Sequence, residues 1–279
     1  MGIPRAEMSG AAVGDVIVVP GGLMSDVGGA VAPTDVVEIY DPDADEWKQA
    51  ARMPGARHHI AVAAHDGRLY VFGGIDDQDD NVADAWAYDP TQDSWRTLAA
   101  MPFPVAAAAA AAAGDHLYVA GGLPGGDTFL RYDPVADVWE ILSPMLTPRD
   151  HLGAVTADGV IYVVGGNWAG RSLDIVEIYD LGLEVWRRGP FLLEPRAGFG
   201  IAGGPNGIIV AGGEVAGQGR PLDTMETLTS GSSEWAPLAP LPETLAGLTM
   251  AVVGDGFYAL GGSRRSFTIA NSGDAFVWR

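Results

Sequence analysis

Short apolar runs, each bounded by glycine, proline or aspartate, recur along the whole chain. The stretch 57–99 shows the pattern. His59 to Ala64 is apolar, His65-Asp66-Gly67 turns, and Leu69-Tyr70-Val71-Phe72 leads into Gly73-Gly74. An acidic loop follows, then Asp84-Ala85-Trp86-Ala87-Tyr88 with alternating character, an Asp89-Pro90 turn, a segment around Trp95 and a closing Met101-Pro102. Short runs rich in β-branched and aromatic residues between such turn signals predict four antiparallel strands, here a to d in chain order.

The unit repeats. Glycine pairs close strand b at Gly21-Gly22, Gly73-Gly74, Gly121-Gly122, Gly165-Gly166, Gly212-Gly213 and Gly261-Gly262, at intervals of 44 to 52 residues. Trp47, Trp95, Trp139, Trp186 and Trp235 each lie 26 residues before the next pair, and Tyr40, Tyr88, Tyr132, Tyr179 and Leu228 lie seven residues before those tryptophans. An aspartate opens strand c each time, at Asp35, Asp84, Asp127, Asp174, Asp223 and Asp274. A four-stranded unit of this size cannot bury both faces alone, so the units must stack, and radial stacking makes them blades of a β-propeller. The glycine pairs are expected to let backbone pack closely. The tryptophans are expected to fill the space between blades.

Ala106 to Ala113 conflicts with this reading, because an alanine run favours helix. By register it is strand a of the third blade, the innermost strand, where small side chains suit a tapering interior. Strand is the expectation.

A hydrophobic run into Gly-Gly, then Tyr-Asp-Pro, then tryptophan about seven residues on, resembles the kelch repeat across nearly the whole chain. The resemblance implies an all-β, six-bladed β-propeller of four-stranded antiparallel blades in one domain, 1–279. The blades fall near 5–50, 57–99, 105–143, 149–190, 196–238 and 244–279. Blade 5 departs by its Leu228. In blade 6, Asp274-Ala275-Phe276-Val277-Trp278 aligns with Asp84 to Tyr88, which makes Trp278 the end of strand c and leaves outer strand d absent. A rival alignment puts Trp278 on strand d, with Asn271 seven residues earlier. On the preferred alignment both ends of the chain meet at one missing strand. That strand comes from elsewhere, or blade 6 has an open edge.

Charge narrows the partners. The chain has 16 basic and 36 acidic residues, for a formal charge of −20. Nucleic acid and anionic membrane surfaces are therefore not expected partners. The absence of cysteine excludes disulfide and thiolate chemistry. No apolar run is long enough to span a bilayer. No signal peptide opens the chain, so a cytoplasmic location is slightly favoured without being fixed. A monomer is expected.

Strand alternation puts the a–b and c–d turns on one face and the longer, more varied b–c and d–a loops on the other, where binding is expected. On the d–a side Arg5, Arg57, Arg149 and Arg196 recur, followed two residues later by Glu7, His59, His151 and Gly198. Just past the glycine pairs sit Leu23, Ile75, Leu123, Asn167, Glu214 and Ser263, with Trp168, Arg264 and Arg265 close behind. The binding candidates are Arg5, Glu7, Arg57, His59, Arg149, His151, Asn167, Trp168, Arg196, Glu214, Arg264 and Arg265. Animal kelch adaptors capture acidic peptides with arginines on this face, and that likeness makes Arg5, His59, His151 and Arg264 their counterparts. A blander reading pairs the arginines with acids of strand c or the turns.

Signature chemistry is sparse. The chain has no His-Glu-x-x-His motif, phosphate loop or Gly-x-Ser-x-Gly elbow. Copper oxidases of similar fold need a cysteine-crosslinked tyrosine, which this chain lacks. The acidic loop 76–80 lacks the glycine and terminal glutamate of an EF-hand. Glu7, His59, His151 and Glu214 form a conceivable two-histidine carboxylate set. The roughly 120° between blades 2 and 4 speaks against its convergence on a metal, and no metal or other cofactor is assigned. The expected function is a kelch-type scaffold that binds a protein or peptide on the b–c/d–a face. The alternatives are a small-molecule, sugar-type enzyme or binder in the axial funnel, with or without an assisting metal, and a structural or engineered propeller without a ligand.

Overall fold

The computed structural model describes residues 1–25, 30–204, 206–218 and 221–264, together with the strand Ala275–Trp278. Five four-stranded antiparallel sheets follow the a-b-c-d order. The first is Ala11–Val13, Val16–Pro20, Val37–Asp41 and Glu46–Gln49; the second is Ala61–His65, Arg68–Phe72, Ala85–Asp89 and Ser94–Thr97. The third is Ala109–Ala113, His116–Ala120, Phe129–Asp133 and Val138–Ile141. The fourth is Gly153–Ala157, Val160–Val164, Val176–Asp180 and Val185–Arg188, and the fifth Gly200–Gly204, Gly207–Ala211, Met225–Thr229 and Ala236–Leu238. A three-stranded sheet, Thr249–Val253, Gly256–Leu260 and Ala275–Trp278, takes the sixth place. Complete blades among the described residues therefore number five rather than six. Trp278 pairs with Phe257 as Tyr88 pairs with Leu69, which places it at the end of strand c. Asp274 lies outside the described residues.

Strand a of each blade packs on strand a of the next, and strand a of the sixth sheet packs on that of the first. Two further contacts join the sixth sheet to the first: Gly262 N–H donates to the Arg5 carbonyl at 3.2 Å, and the Tyr258 and Tyr40 rings lie 5.9 Å apart. Strands b and c are buried between neighbours, whereas the outer strands d are mostly exposed.

The glycine pairs have a steric cause. The second glycine of each donates its N–H across the blade boundary, to the carbonyls of Arg57, Val105, Arg149, Arg196, Leu245 and Arg5 in turn. At Gly73 (φ +60°) a Cβ would lie 2.1 Å from the Val105 carbonyl oxygen, so no side chain fits. The tryptophans fasten the same boundary further out. The indole N–H groups of Trp95, Trp139, Trp186 and Trp235 donate to carbonyls of the preceding blade, at Ala51, Ala99, Ser143 and Pro190.

Ala109–Ala113 is a strand, paired over five residues with His116–Ala120. Alanine's intrinsic helical advantage is at most about 0.7 kcal/mol per residue over ordinary residues, and tertiary packing overrides it. The run faces a central bore of about 360 Å³ that is lined largely by glycine, alanine and valine from all six sheets. Larger side chains would fill it.

Candidate functional site

A bridge in each blade zips the d–a turn to the b–c loop. Ala6 pairs with Leu23, His58 with Ile75, Ala106 with Leu123, Asp150 with Asn167, Ala197 with Glu214 and Ala246 with Ser263. The b–c and d–a loops thus share one rim, as strand alternation implied. Among the described residues, two b–c loops extend into small hairpins, Leu23–Ser25 with Val31–Pro33 and Asn167–Trp168 with Arg171–Ser172.

One residue past each bridge, the backbone turns left-handed. Glu7, His59, Ala107, His151, Gly198 and Gly247 have φ between 50° and 63°. Each N–H from His59 to Gly247 in this series donates to the carbonyl of its counterpart one blade earlier, at 2.7–3.2 Å. This ring of inter-blade bonds is the axial throat. Left-handed φ is uncommon for non-glycine residues, and the bond ring holds it in place.

The throat brings together side chains that the blade angle was expected to keep apart. Donor atoms of Glu7, His59 and His151 all lie within 4.8 Å of one another. His59 Nε2 is 3.4 Å from Glu7 Oε2, and the His59 and His151 rings meet edge-on with centroids 4.8 Å apart. Left-handed turns at the narrow mouth carry these side chains to the axis, where blades about 120° apart come within contact distance. Asn167 and Glu214 line the adjoining mouth with Glu7 and His151 around a space of about 50 Å³. A pocket of about 80 Å³ lies at the throat itself.

Electrostatics separate the two histidines. Burial, and then the imidazoles of His151 and His58, pull His59 well below the ordinary histidine range. Burial also opposes charge on His151, but its Nδ1 contact with Asp150 Oδ1 at 2.5 Å and the carboxylates of Glu7 and Glu214 outweigh it and raise its pKa. Burial pushes Glu7 upward, His151 opposes the shift and Glu214 adds to it.

The recurrent arginines lie elsewhere. Arg5, Arg149 and Arg196 are buried in the blade wall, paired with Glu38, Glu177 and Glu226 at 2.9, 3.0 and 2.6 Å. Arg5 also donates to the carbonyls of Val19, Gly21 and Val36, and Arg196 to those of Gly212 and Thr224. Arg57 pairs with Asp84 at 2.7 Å and lies over the Trp86 ring at 5.2 Å. These four arginines clamp the d–a turns to strand c; none lines the mouth or throat, and Arg5 is buried rather than presented to a peptide. Arg264 is on the exposed rim, bonded to Glu243. Trp168 is half-buried over Gly126 of the neighbouring blade. Arg265 lies outside the described residues.

Sequence reasoning missed Asp150, which orients His151, and His58, whose Nδ1 contacts His59 Nδ1. Both directly precede the residues they touch. It also missed a correlation within the repeats. Two residues before the strand-c tyrosine position stand Glu38, Trp86, Leu130, Glu177 and Glu226. The three glutamates and Trp86 face arginines, and Leu130 belongs to the blade that has Val105 at the arginine position.

Sheets ringed about an axis, with loops gathered at one end of a narrow throat, define a β-propeller. Residues 7–188 match the model of the KLHDC2/KLHL20/DRC7 Kelch-repeats domain, well over half of the chain, and the chain belongs to that kelch-repeat family. It is 39% identical over 77 residues to Kelch-like protein terF of Aspergillus terreus, a match covering 28% of this chain and 17% of the fungal protein. It is 31% identical over 96 residues to Kelch-like protein 7 of Rattus norvegicus and of Mus musculus, covering 34% of this chain and 16% of each relative. The matched segments are a minor part of those longer proteins. Among the described residues, no helix is long and apolar enough to cross a membrane.

Proposed function

We propose that this protein is a binding scaffold that holds a peptide or protein segment on its b–c/d–a rim. The observation that carries this reading is the bridge in every blade, which gathers the varied b–c loops on one rigid rim while the described residues of the opposite face form short turns. Membership of the kelch family supports the same reading. The rim's charge reverses the partner chemistry that the arginine pattern suggested. Glu7 and Glu214 line the mouth, Asp150 stands beside His151, and Asp77, Asp79 and Asp80 are exposed in the neighbouring loop. Against them stand Arg171 and Arg264 as exposed rim arginines, and three of the expected arginines are buried. A segment bearing lysine or arginine suits this surface better than an acidic one, with Trp168 as a flat apolar contact.

A sugar-type ligand fits less well. The mouth and throat hold only about 50 and 80 Å³. The bore of about 360 Å³ behind them, though within the roughly 300–1,000 Å³ of small-molecule pockets, offers only Ser9, Thr156 and Thr249 as polar side chains to orient a sugar. A photo-crosslinking residue at Asp77 or Trp168 should give adducts with the cellular partner, while the same residue at Asp66 or Asp255 on the opposite turns should give none. Adducts confined to Asp66 and Asp255 would reject the rim, and none at either face would favour a structural propeller without a partner.

A further inference from the structure

The axial throat has the makings of a site independent of any partner on the rim. Three groups converge there that bind metals in their unprotonated forms: two imidazoles and a carboxylate, with donor atoms all within 4.8 Å. The orientation of each group adds to this convergence.

His151 directs Nδ1 at Asp150 Oδ1, 2.5 Å away, which leaves Nε2 as its free donor. A ligating histidine commonly gives its other ring N–H to a carboxylate in this way, fixing tautomer and ring orientation. His59 uses Nδ1 against the His58 ring and presents Nε2 toward Glu7 Oε2, 3.4 Å away. All three residues sit on left-handed backbone held by the inter-blade bond ring, so the donors are positioned before any ion arrives.

The space also suits an ion. Metal–nitrogen and metal–oxygen bonds of about 2.0–2.2 Å at tetrahedral angles put two donors about 3.3–3.6 Å apart. The Glu7–His59 pair at 3.4 Å already has that spacing, and a closure of at most about 1.5 Å would bring the remaining donor onto the same ion. The mouth space of about 50 Å³, lined by Asn167 and Glu214, leaves room for a water on the open side. Two nitrogens and one oxygen without thiolate select a borderline divalent ion, whereas calcium and magnesium prefer all-oxygen shells.

From this geometry we propose that Glu7, His59 and His151 hold one divalent d-block ion, of the zinc or iron(II) class, at the throat of the propeller, with Asp150 as the positioning residue for His151. The ion would tie blades 1, 2 and 4 together at the axis and leave a coordination position facing the rim.

The test is titration of the metal-stripped chain with Co²⁺, followed by visible absorption, and with Zn²⁺, followed by calorimetry. One equivalent should bind. His59→Asn and His151→Asn, chosen because asparagine tolerates left-handed φ, should abolish saturation in the range where the unaltered chain binds. Asp150→Asn should weaken binding by about 10- to 100-fold, and an Asp66→Asn/Asp255→Asn variant on the opposite face should bind as before. Imidazole NMR of the unaltered chain keeps the test decisive if a variant misfolds: Zn²⁺ should perturb His59 and His151 and leave His65 and His116 unchanged. No saturable binding, binding that survives both histidine substitutions, or a response confined to His65 and His116 would overturn the proposal.

Discussion

The buried Arg196–Glu226 pair offers a measurement for which the protein supplies its own control. Blade 3 has Val105 and Leu130 at the equivalent positions, both buried, so the fold accepts an apolar version of this wall. In blade 5, Arg196 spends its donors on the carbonyls of Gly212 and Thr224, the Thr224 hydroxyl and Glu226 Oε1. Glu226 accepts from Arg196 and from the N–H groups of Leu193 and Glu194. Arg196→Val leaves a buried carboxylate without its cation, and Glu226→Leu leaves a buried guanidinium with only the more distant Glu194 carboxylate, 3.9 Å away. Removing one partner of a buried pair costs about 3–5 kcal/mol, because the other charge stays desolvated.

If the two losses were independent, the double variant Arg196→Val/Glu226→Leu would lose about 6–10 kcal/mol. It removes both charges and reproduces the blade 3 wall. We therefore expect its cost to stay near that of one single substitution, a coupling of about 3 kcal/mol. Guanidinium unfolding followed by tryptophan fluorescence reads this directly, provided the denaturant slope is unchanged among the four proteins. An additive double variant, or a single substitution that costs under about 1 kcal/mol, would refute the assignment of these arginines to the wall.

Other outcomes follow from the same geometry. Gly73→Ala puts a Cβ 2.1 Å from the Val105 carbonyl oxygen and should prevent a cooperative thermal transition, whereas Gly67→Asn, at φ +70° with open space around it, should lower stability by about 1 kcal/mol or less. Trp139→Phe keeps the edge contact with Phe72 and removes the indole bond to the Ala99 carbonyl, so its cost by denaturant unfolding should be about 0.5–1.5 kcal/mol. In the metal-free chain, NMR titration should find His151 midway above 6.5 and His59 well below it, and Asp150→Asn should lower the His151 midpoint. The signs for stability oppose each other. The His151 contribution is complete below 6.5 and disappears as pH rises through its raised value, whereas neutral His59 favours the fold above 6.5 and loses that benefit as pH falls toward its lowered value.

The ring could be read from the chain because its determinants repeat. A glycine required by a carbonyl about 2–3 Å from its missing Cβ must recur wherever that approach recurs, and a tryptophan that reaches across to the preceding blade must keep its distance from it. The same logic settled Ala109–Ala113, where register outweighed helical propensity. The site was less legible because it depends on differences between blades. Sequence placed Glu7, His59 and His151 at equivalent positions, but equivalence in a six-fold ring implies separation. Only the left-handed turn at the throat, invisible in residue types such as histidine and glutamate, brings them together. The arginines misled for the converse reason: a repeated cation at a rim position reads as a binding ring until its partner is found. That partner was present in the sequence. Glutamate or tryptophan stands two residues before the strand-c tyrosine position wherever the blade carries arginine, and leucine stands there in the blade with Val105. A cation that co-varies between blades with a strand-c side chain is thereby assigned to the wall. The throat residues show no such internal partner, and that asymmetry separates the candidate site from the scaffold that carries it.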